Sequence, residues 1–221
     1  MNEKIVEIAK KLFAEKGYQG VSTREIADFL GINISTFHYH TGGKSNLYKS
    51  VIESVYQREL ELFHKPISNF SEKDYRDKEK VYHALNEALL GFFEQMSQDR
   101  DRATLYVRRW LEWPDEFMEQ EVENTLQTFY PFYHFMESAR KAGSIRDVNS
   151  SIFLRVFLWM VYCYFITGTI NWKKWVSDPM KKRNKENFKK FLKDYIDSML
   201  FSESQFQTKA VVFNQKSVTR R

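Results

Sequence analysis

A single cysteine, Cys163, stands among 221 residues, so no internal disulfide framework can form, and the chain suits a reducing compartment. Four prolines and eight glycines are too few for a fold of short strands and tight turns. With abundant Leu, Lys, Glu and Phe, that scarcity of breakers favours helices. No glycine-rich phosphate loop and no cluster with metal-ligand spacing occurs, and Cys163 has no His nearby in sequence, so it reads as buried core rather than as a nucleophile. These absences argue against an enzyme, a cofactor or a metal. There is no internal repeat and no low-complexity block. The segment MNEKIVEIAKKLF carries charges through its apolar pattern, unlike a secretory signal, and a cytoplasmic location is expected.

Strong charge bias is also missing where it would be most informative. The net charge is +5, but residues 1–49 hold seven Lys/Arg against five acids, only mildly basic. The excess sits between Lys173 and Lys193, where nine Lys/Arg face two acids. Bulk charge permits an anionic partner without locating one, so placement must carry the argument. The late basic run reads as a solvated face. Residues 156–172, VFLWMVYCYFITGTINW, form 17 uncharged residues, at the lower edge of a spanning length. Asp147 and Arg155 before it, and Gly168, Thr169 and Asn171 within it, favour a helix buried inside a soluble assembly, with no membrane.

What is present is helical periodicity. Ile5, Ile8, Ala9, Leu12 and Phe13 share one face, and Gly17 is placed to cap the end. Ser22 and Glu25 are spaced as a capping box for a helix that turns Ile26, Ala27 and Leu30 inward and stops at Gly31. Asn33 caps a helix of about two turns, which the pair Gly42–Gly43 ends. A longer helix follows to about His64. Pro66 and the run SEKDYRDKEK (71–80) mark a linker. Further helices are expected over 79–98, 101–113, 115–142, 149–173 and 185–200, with Pro114 separating two of them and Pro131 kinking the third. After 201 a flexible tail is expected, in which KAVVF (209–213) could pair as a strand.

A short helix, a glycine turn and a second short helix, flanked by helices on both sides, is the layout that sets a helix into a major groove about 12 Å wide. Here the chain resembles the tetracycline-repressor (TetR) family of transcription factors. Thr23, Ile26, Ala27, Gly31, Ile32, Asn33, Thr36, Phe37, Lys44 and Leu47 match its N-terminal signature or replace it conservatively, over about residues 5 to 56. The signature's tyrosine is His38 here, its phenylalanine is Thr41, its Tyr/His pair is reordered as Tyr39–His40, and its usual turn is Gly42–Gly43.

The resemblance implies an all-α fold: a helix-turn-helix DNA-binding domain at 1–48 and a helical ligand-binding and dimerisation domain at 49–200, followed by the tail at 201–221. By position, Thr36, His38, His40 and Lys44 resemble phosphate-contacting residues, with Ser22 and Thr23 adding contacts at a helix N-terminus. Ile34, Ser35 and Tyr39 resemble base-reading residues, better suited to thymine methyls than to guanine edges, because no Arg or Lys shares their face. Phe37 is core. His38 and His40 cannot chelate one ion from a helix, since residues two apart point about 200° apart.

The second half is rich in rings, which ordinarily means core. The resemblance implies a ligand cavity among its middle helices, with Phe93, Trp110, Phe129, Tyr133, Trp159 and Tyr162 as expected walls. A mostly apolar small molecule, aromatic or acyl, fits such rings, or a cation with Glu94 or Glu137 as counter-charge. The helix over 149–173 is apolar all round, and 185–200 is amphipathic, so a homodimer through these two segments is expected. The function expected is a repressor that binds a palindrome in double-stranded DNA and is released by a small-molecule effector. The alternative is a helical protein-interaction module that no longer binds DNA specifically.

Overall fold

The computed structural model describes residues 3–112, 115–171, 173 and 175–201. Among the described residues the chain forms nine α-helices: α1 (Glu3–Lys16), α2 (Thr23–Leu30), α3 (Ile34–Thr41), α4 (Lys44–His64), α5 (Lys78–Gln98), α6 (Arg100–Glu112), α7 (Met118–Lys141), α8 (Ser150–Thr167) and α9 (Lys182–Leu200). The fold is all-α. The expected tail strand at 209–213, with Trp113 and Pro114, lies outside the described residues.

Local signals in the sequence set most boundaries. Gly17 takes φ +74° after α1, a left-handed conformation that costs other residues about 1–2 kcal/mol. The Ser22 Oγ accepts from Glu25 N at 3.1 Å to start α2. Asn33 Oδ1 accepts from Thr36 N at 2.8 Å to start α3. The expected linker is ordered by its own charges: Asp74 accepts from Ser71 N at 2.7 Å and pairs with Lys80 at 2.9 Å, while Asp77 caps α5.

Pro131 lies inside α7, and the helix runs past it. Proline has no N–H to offer the carbonyl four residues earlier, which here is Gln127. The ring of His64, the last residue of α4, takes that place, with Nε2 donating to Gln127 O at 3.1 Å. A break in one helix thus becomes an anchor for another.

Two expectations are corrected. The helix expected over 149–173 stops at Thr167, followed by Gly168 at φ +69°, where a Cβ would come within 2.0 Å of Ser177 O. Ile170–Asn171 then pairs antiparallel with Trp175–Val176. Apolar composition alone could not reveal that the end of this run is a hairpin. Cys163, expected in the core, is exposed, because the outer face of α8 is uncovered in the single chain. Alone among the described helices, α8 is long and apolar enough to cross a membrane, yet half of it is buried in this fold.

The core is one continuous cluster running from α1 to α9. Its head end gathers Phe13, Tyr18, Tyr48 and Phe117, with ring centroids 4.8 Å apart for Tyr18–Tyr48 and 4.9 Å for Tyr48–Phe117. Phe117, which precedes α7, therefore packs against the N-terminal helices. Helix α6 grips α1 at its C-terminus: Arg108 donates to Ala14 O at 2.7 Å and to Glu15 O at 2.6 Å. An arginine suits those carbonyls because they are unpaired within the helix and lie at the negative end of its dipole. Glu112 completes the clamp, pairing with Arg108 at 2.9 Å and accepting from Tyr18 N at 3.0 Å. Lys10 on α1 pairs with Asp99 just before α6.

Candidate nucleic-acid interface and internal cavity

Helices α2 and α3 meet at Gly31, whose φ of +67° gives a left-handed cap, with Ile32 N donating to Ala27 O at 3.0 Å. A Cβ at Gly31 would meet nothing, so glycine is needed there for the turn and not for space. Ala27 and Ile26 are buried beneath the turn, and Phe37 is fully buried under α3. Thr41, which stands where an aromatic ring was expected, is also buried. Its Oγ1 donates to Phe37 O at 2.9 Å and accepts from Gly43 N at 3.1 Å. The hydroxyl is satisfied within the turn, so the substitution leaves no orphan polar group.

With Phe37 and Thr41 inward, α3 presents the remaining residues outward. Ser35, His38 and His40 are exposed, Ile34 is 38% exposed and Tyr39 is 86% exposed. Thr36 and Thr23 are half-buried, and Ser22 is exposed at the start of α2. A tyrosine ring so fully in solvent on a short, well-capped helix has no packing role in the chain itself. Lys44 differs from the other expected contacts: it is half-buried, with its ammonium 4.3 Å from the Tyr18 ring centroid, and burial lowers its pKa. Lys16 pairs with Glu25 and holds that carboxyl below its usual range, tying α1 to α2. Phe29 on α2 is 66% exposed and was not singled out in the sequence, where it reads as one more apolar helix residue.

The body holds a cavity of about 310 Å³ that opens to solvent past Leu126, Tyr130 and Arg155. Of its expected walls, Trp110, Phe129, Tyr133 and Tyr162 line it. Phe93 does not: it packs on the far side against Phe165 at 5.3 Å and Tyr164 at 6.0 Å. Trp159 stands behind the wall, edge-on to Trp110 at 5.1 Å. Neither expected counter-charge is present. Glu94 pairs with Lys189, and Glu137 pairs with Arg140 at 2.9 Å and accepts from Ser150 at 2.6 Å.

The wall holds polar residues that the pattern of rings did not disclose. Tyr56 on α4, Tyr106 and Arg109 on α6, Thr125 on α7 and Arg155 on α8 all line it. Arg109 pairs with Glu121 at 2.8 Å; Tyr56 donates to the same carboxylate oxygen at 2.8 Å and lies 2.9 Å from Thr125 Oγ1. The guanidinium of Arg109 also sits 4.2 Å from the Tyr106 ring, which stacks on Tyr162 at 5.0 Å. Tyr106 in turn donates to Glu59 of α4. Burial pushes the Glu59 carboxyl up to about 7 against the pull of Tyr106, Arg102 and Arg109, and burial likewise raises Glu121 despite Arg109. Helix α4 is therefore bonded to the cavity wall twice, through Tyr56 and Glu59. Such residues could have been suspected only from acids and arginines interrupting an apolar face.

The family profile described as "Bacterial regulatory proteins, tetR family" matches residues 5–51. Residues 5–51 thus carry the N-terminal signature of the TetR family. An HTH-type transcriptional regulator of Staphylococcus aureus strain USA300 is 37% identical over 92 residues, covering 41% of this chain. That match spans 46% of the relative's own length, so the sequence likeness is confined to about half of it. The fold likeness extends over nearly the whole chain. The ketosteroid transcriptional regulator KstR2 of Mycobacterium tuberculosis superposes with a TM-score of 0.69 at 14% identity, over 91% of this chain and 95% of that one. A transcriptional regulator from Saccharomonospora viridis in complex with choline superposes with a TM-score of 0.62 at 16% identity, over 90% of this chain and 97% of that one.

Proposed function

We propose that the protein is a homodimeric, effector-responsive repressor acting on DNA in the cytoplasm. The observation that carries the DNA reading is α3, a capped helix whose inward residues are fixed by Phe37 and Thr41 and whose outward face is Ile34, Ser35, His38, Tyr39 and His40. Ile34 and Tyr39 face the bases and favour thymine methyls and groove shape, with Ser35 beside them. Ser22, Thr23, Thr36, His38, His40 and Lys44 approach phosphates. Residues 1–48 form the DNA-binding unit and 49–200 the regulatory one. The well-satisfied Thr41 removes one reason to favour a module that has lost DNA binding.

The second copy covers the outer faces of α8 and α9. Ile152, Val156 and Trp159 recur at helical spacing on α8, as Phe191 and Met199 do on α9, and all are exposed in the single chain. A two-fold pairing there buries them and sets two α3 helices against successive turns of a palindrome.

The cavity is the effector site, lined by Trp110, Phe129, Tyr133 and Tyr162, with Trp159 edge-on to Trp110. Helix α6 uses one face, Tyr106 and Arg109, for the cavity and another, Arg108 and Glu112, for the grip on α1. A ligand that rearranges Arg109 or Tyr56 therefore acts on both α6 and α4, the two helices that hold the head. Its effect equals its difference in affinity for the DNA-bound and free arrangements.

Selection of random duplex DNA by the purified protein tests the reading. Enrichment of a palindrome with half-sites about one turn apart is the expected result. A folded dimer that enriches no sequence at low salt would overturn it in favour of the interaction module.

A further inference from the structure

The lining of the cavity is unbalanced in charge and in hydrogen bonding. Two arginines, Arg109 and Arg155, line it, and no Asp or Glu does. Arg109 is only 5% exposed; it reaches Glu121 behind the wall, but its Nε–H has no acceptor. The neighbouring Trp110 also lines the cavity, and its buried Nε1–H has no acceptor either. Arg155 is exposed and lies over the Trp110 ring at 4.3 Å, and no carboxylate among the described residues comes within ion-pair distance of it. Glu121, which lines the adjoining pocket with Trp110 and Arg155, already serves Arg109 and Tyr56. Buried donors without acceptors are costly to leave so, and a guanidinium suits a planar carboxylate better than any neutral group. Beside these donors Leu126, Phe129, Leu154 and Leu158 give the wall an apolar stretch.

We infer that the effector is an amphipathic carboxylate, its apolar body lying against Phe129, Leu154 and Leu158 and its head held by Arg155 beside the free N–H groups of Arg109 and Trp110. This rests on the reading of the cavity as the effector site. A cationic ligand would meet the unpaired Arg155 and no acid in the lining, since Glu121 is already held by Arg109 and Tyr56. The same head, drawn to Arg109, competes with Glu121 for that guanidinium and so loosens the carboxylate that Tyr56 of α4 holds. Recognition and release of the head are then one event.

The test compares matched probes on the full-length dimer by titration calorimetry: straight-chain and phenyl-substituted alkanoates, the corresponding amides, and the corresponding alkylammonium ions. The alkanoates should bind roughly tenfold or more tightly than the amides, as expected for charge-assisted hydrogen bonds, and the ammonium ions most weakly. Arg155→Gln should erase the advantage of the alkanoates over the amides; Arg155→Lys should keep part of it. Arg155 is solvent-exposed, so both variants fold. Amides or ammonium ions binding as well as the alkanoates would overturn the anionic head and leave the effector cavity standing. If no series binds while the selected operator is still bound, the effector reading falls with it and the DNA-binding reading survives.

Discussion

The head and the body of this molecule place their chemistry in opposite ways. In the head, the side chains that matter point away from the protein, on one short segment whose caps and buried residues are spaced by local rules. In the body they point inward, from α4, α6, α7 and α8, and only packing brings them together. The first arrangement tolerates change at its tip because nothing in the chain depends on it. The second does not, because its buried groups hold one another, Arg109 with Glu121 and Tyr106 with Glu59. Stability and function are therefore separable in the head and entangled in the body.

The sharpest way to break that contrast is to remove Arg109. In Arg109→Leu, Glu121 would be left buried beside Tyr56 without its partner, a change that typically costs about 3–5 kcal/mol. Denaturant unfolding should show that loss, and DNA affinity should fall with it. An unaffected unfolding midpoint would mean that the wall cluster carries no structural weight.

Glu59 gives the next largest effect, visible through pH. Its folded pKa, raised to about 7 by burial, lies above the ordinary 4.5, so the folded chain keeps a proton that the unfolded chain releases between those values. Stability from this residue is complete below about pH 4.5 and is lost as the pH rises through 7. Each unit of that window amounts to about 1.4 kcal/mol, so Glu59→Gln should flatten a decline of roughly 2 kcal/mol between pH 5 and 7.5. Parallel pH profiles for the two proteins would refute the assignment.

In the head, Tyr39→Ala should weaken operator binding by about 1–3 kcal/mol, measured by mobility shift on the selected palindrome. Its melting temperature should not change, because the ring is 86% exposed. A comparable loss on random DNA would show that Tyr39 grips the backbone and does not read bases. The smallest effect is expected from His64→Ala, which removes the donor to Gln127 O and should cost about 1 kcal/mol in thermal unfolding. No loss would mean that the carbonyl freed by Pro131 is satisfied by water.

The legibility of the two regions differs for the same reason. Ser22, Gly31, Asn33 and Gly42 each act within four residues of themselves, so their effects could be read from spacing, and the helices begin and end where they imply. Thr41 was visible as an anomaly, but its two backbone partners were not. In the body, periodicity located most helices within a few residues, and four of the rings that the family resemblance suggested as walls line the cavity. Phe93, expected in the wall, packs instead against Tyr164 and Phe165, because a helix buried on more than one face gives no sign of which face borders a void. Periodicity also left Arg109 and Arg155 unremarked among many charged residues.

The sequence by itself determined the helical class, the helix-turn-helix and its outward residues, since caps, glycine turns and period-3.6 patterns are local physics. Only the tertiary structure decided that His64 answers Pro131, that α6 grips α1 while lining the cavity, and that Arg109, paired with Glu121, and Arg155 stand together in an aromatic wall. Those facts depend on pairs of residues distant along the chain, and no rule of spacing within one helix specifies which distant helix its face will meet.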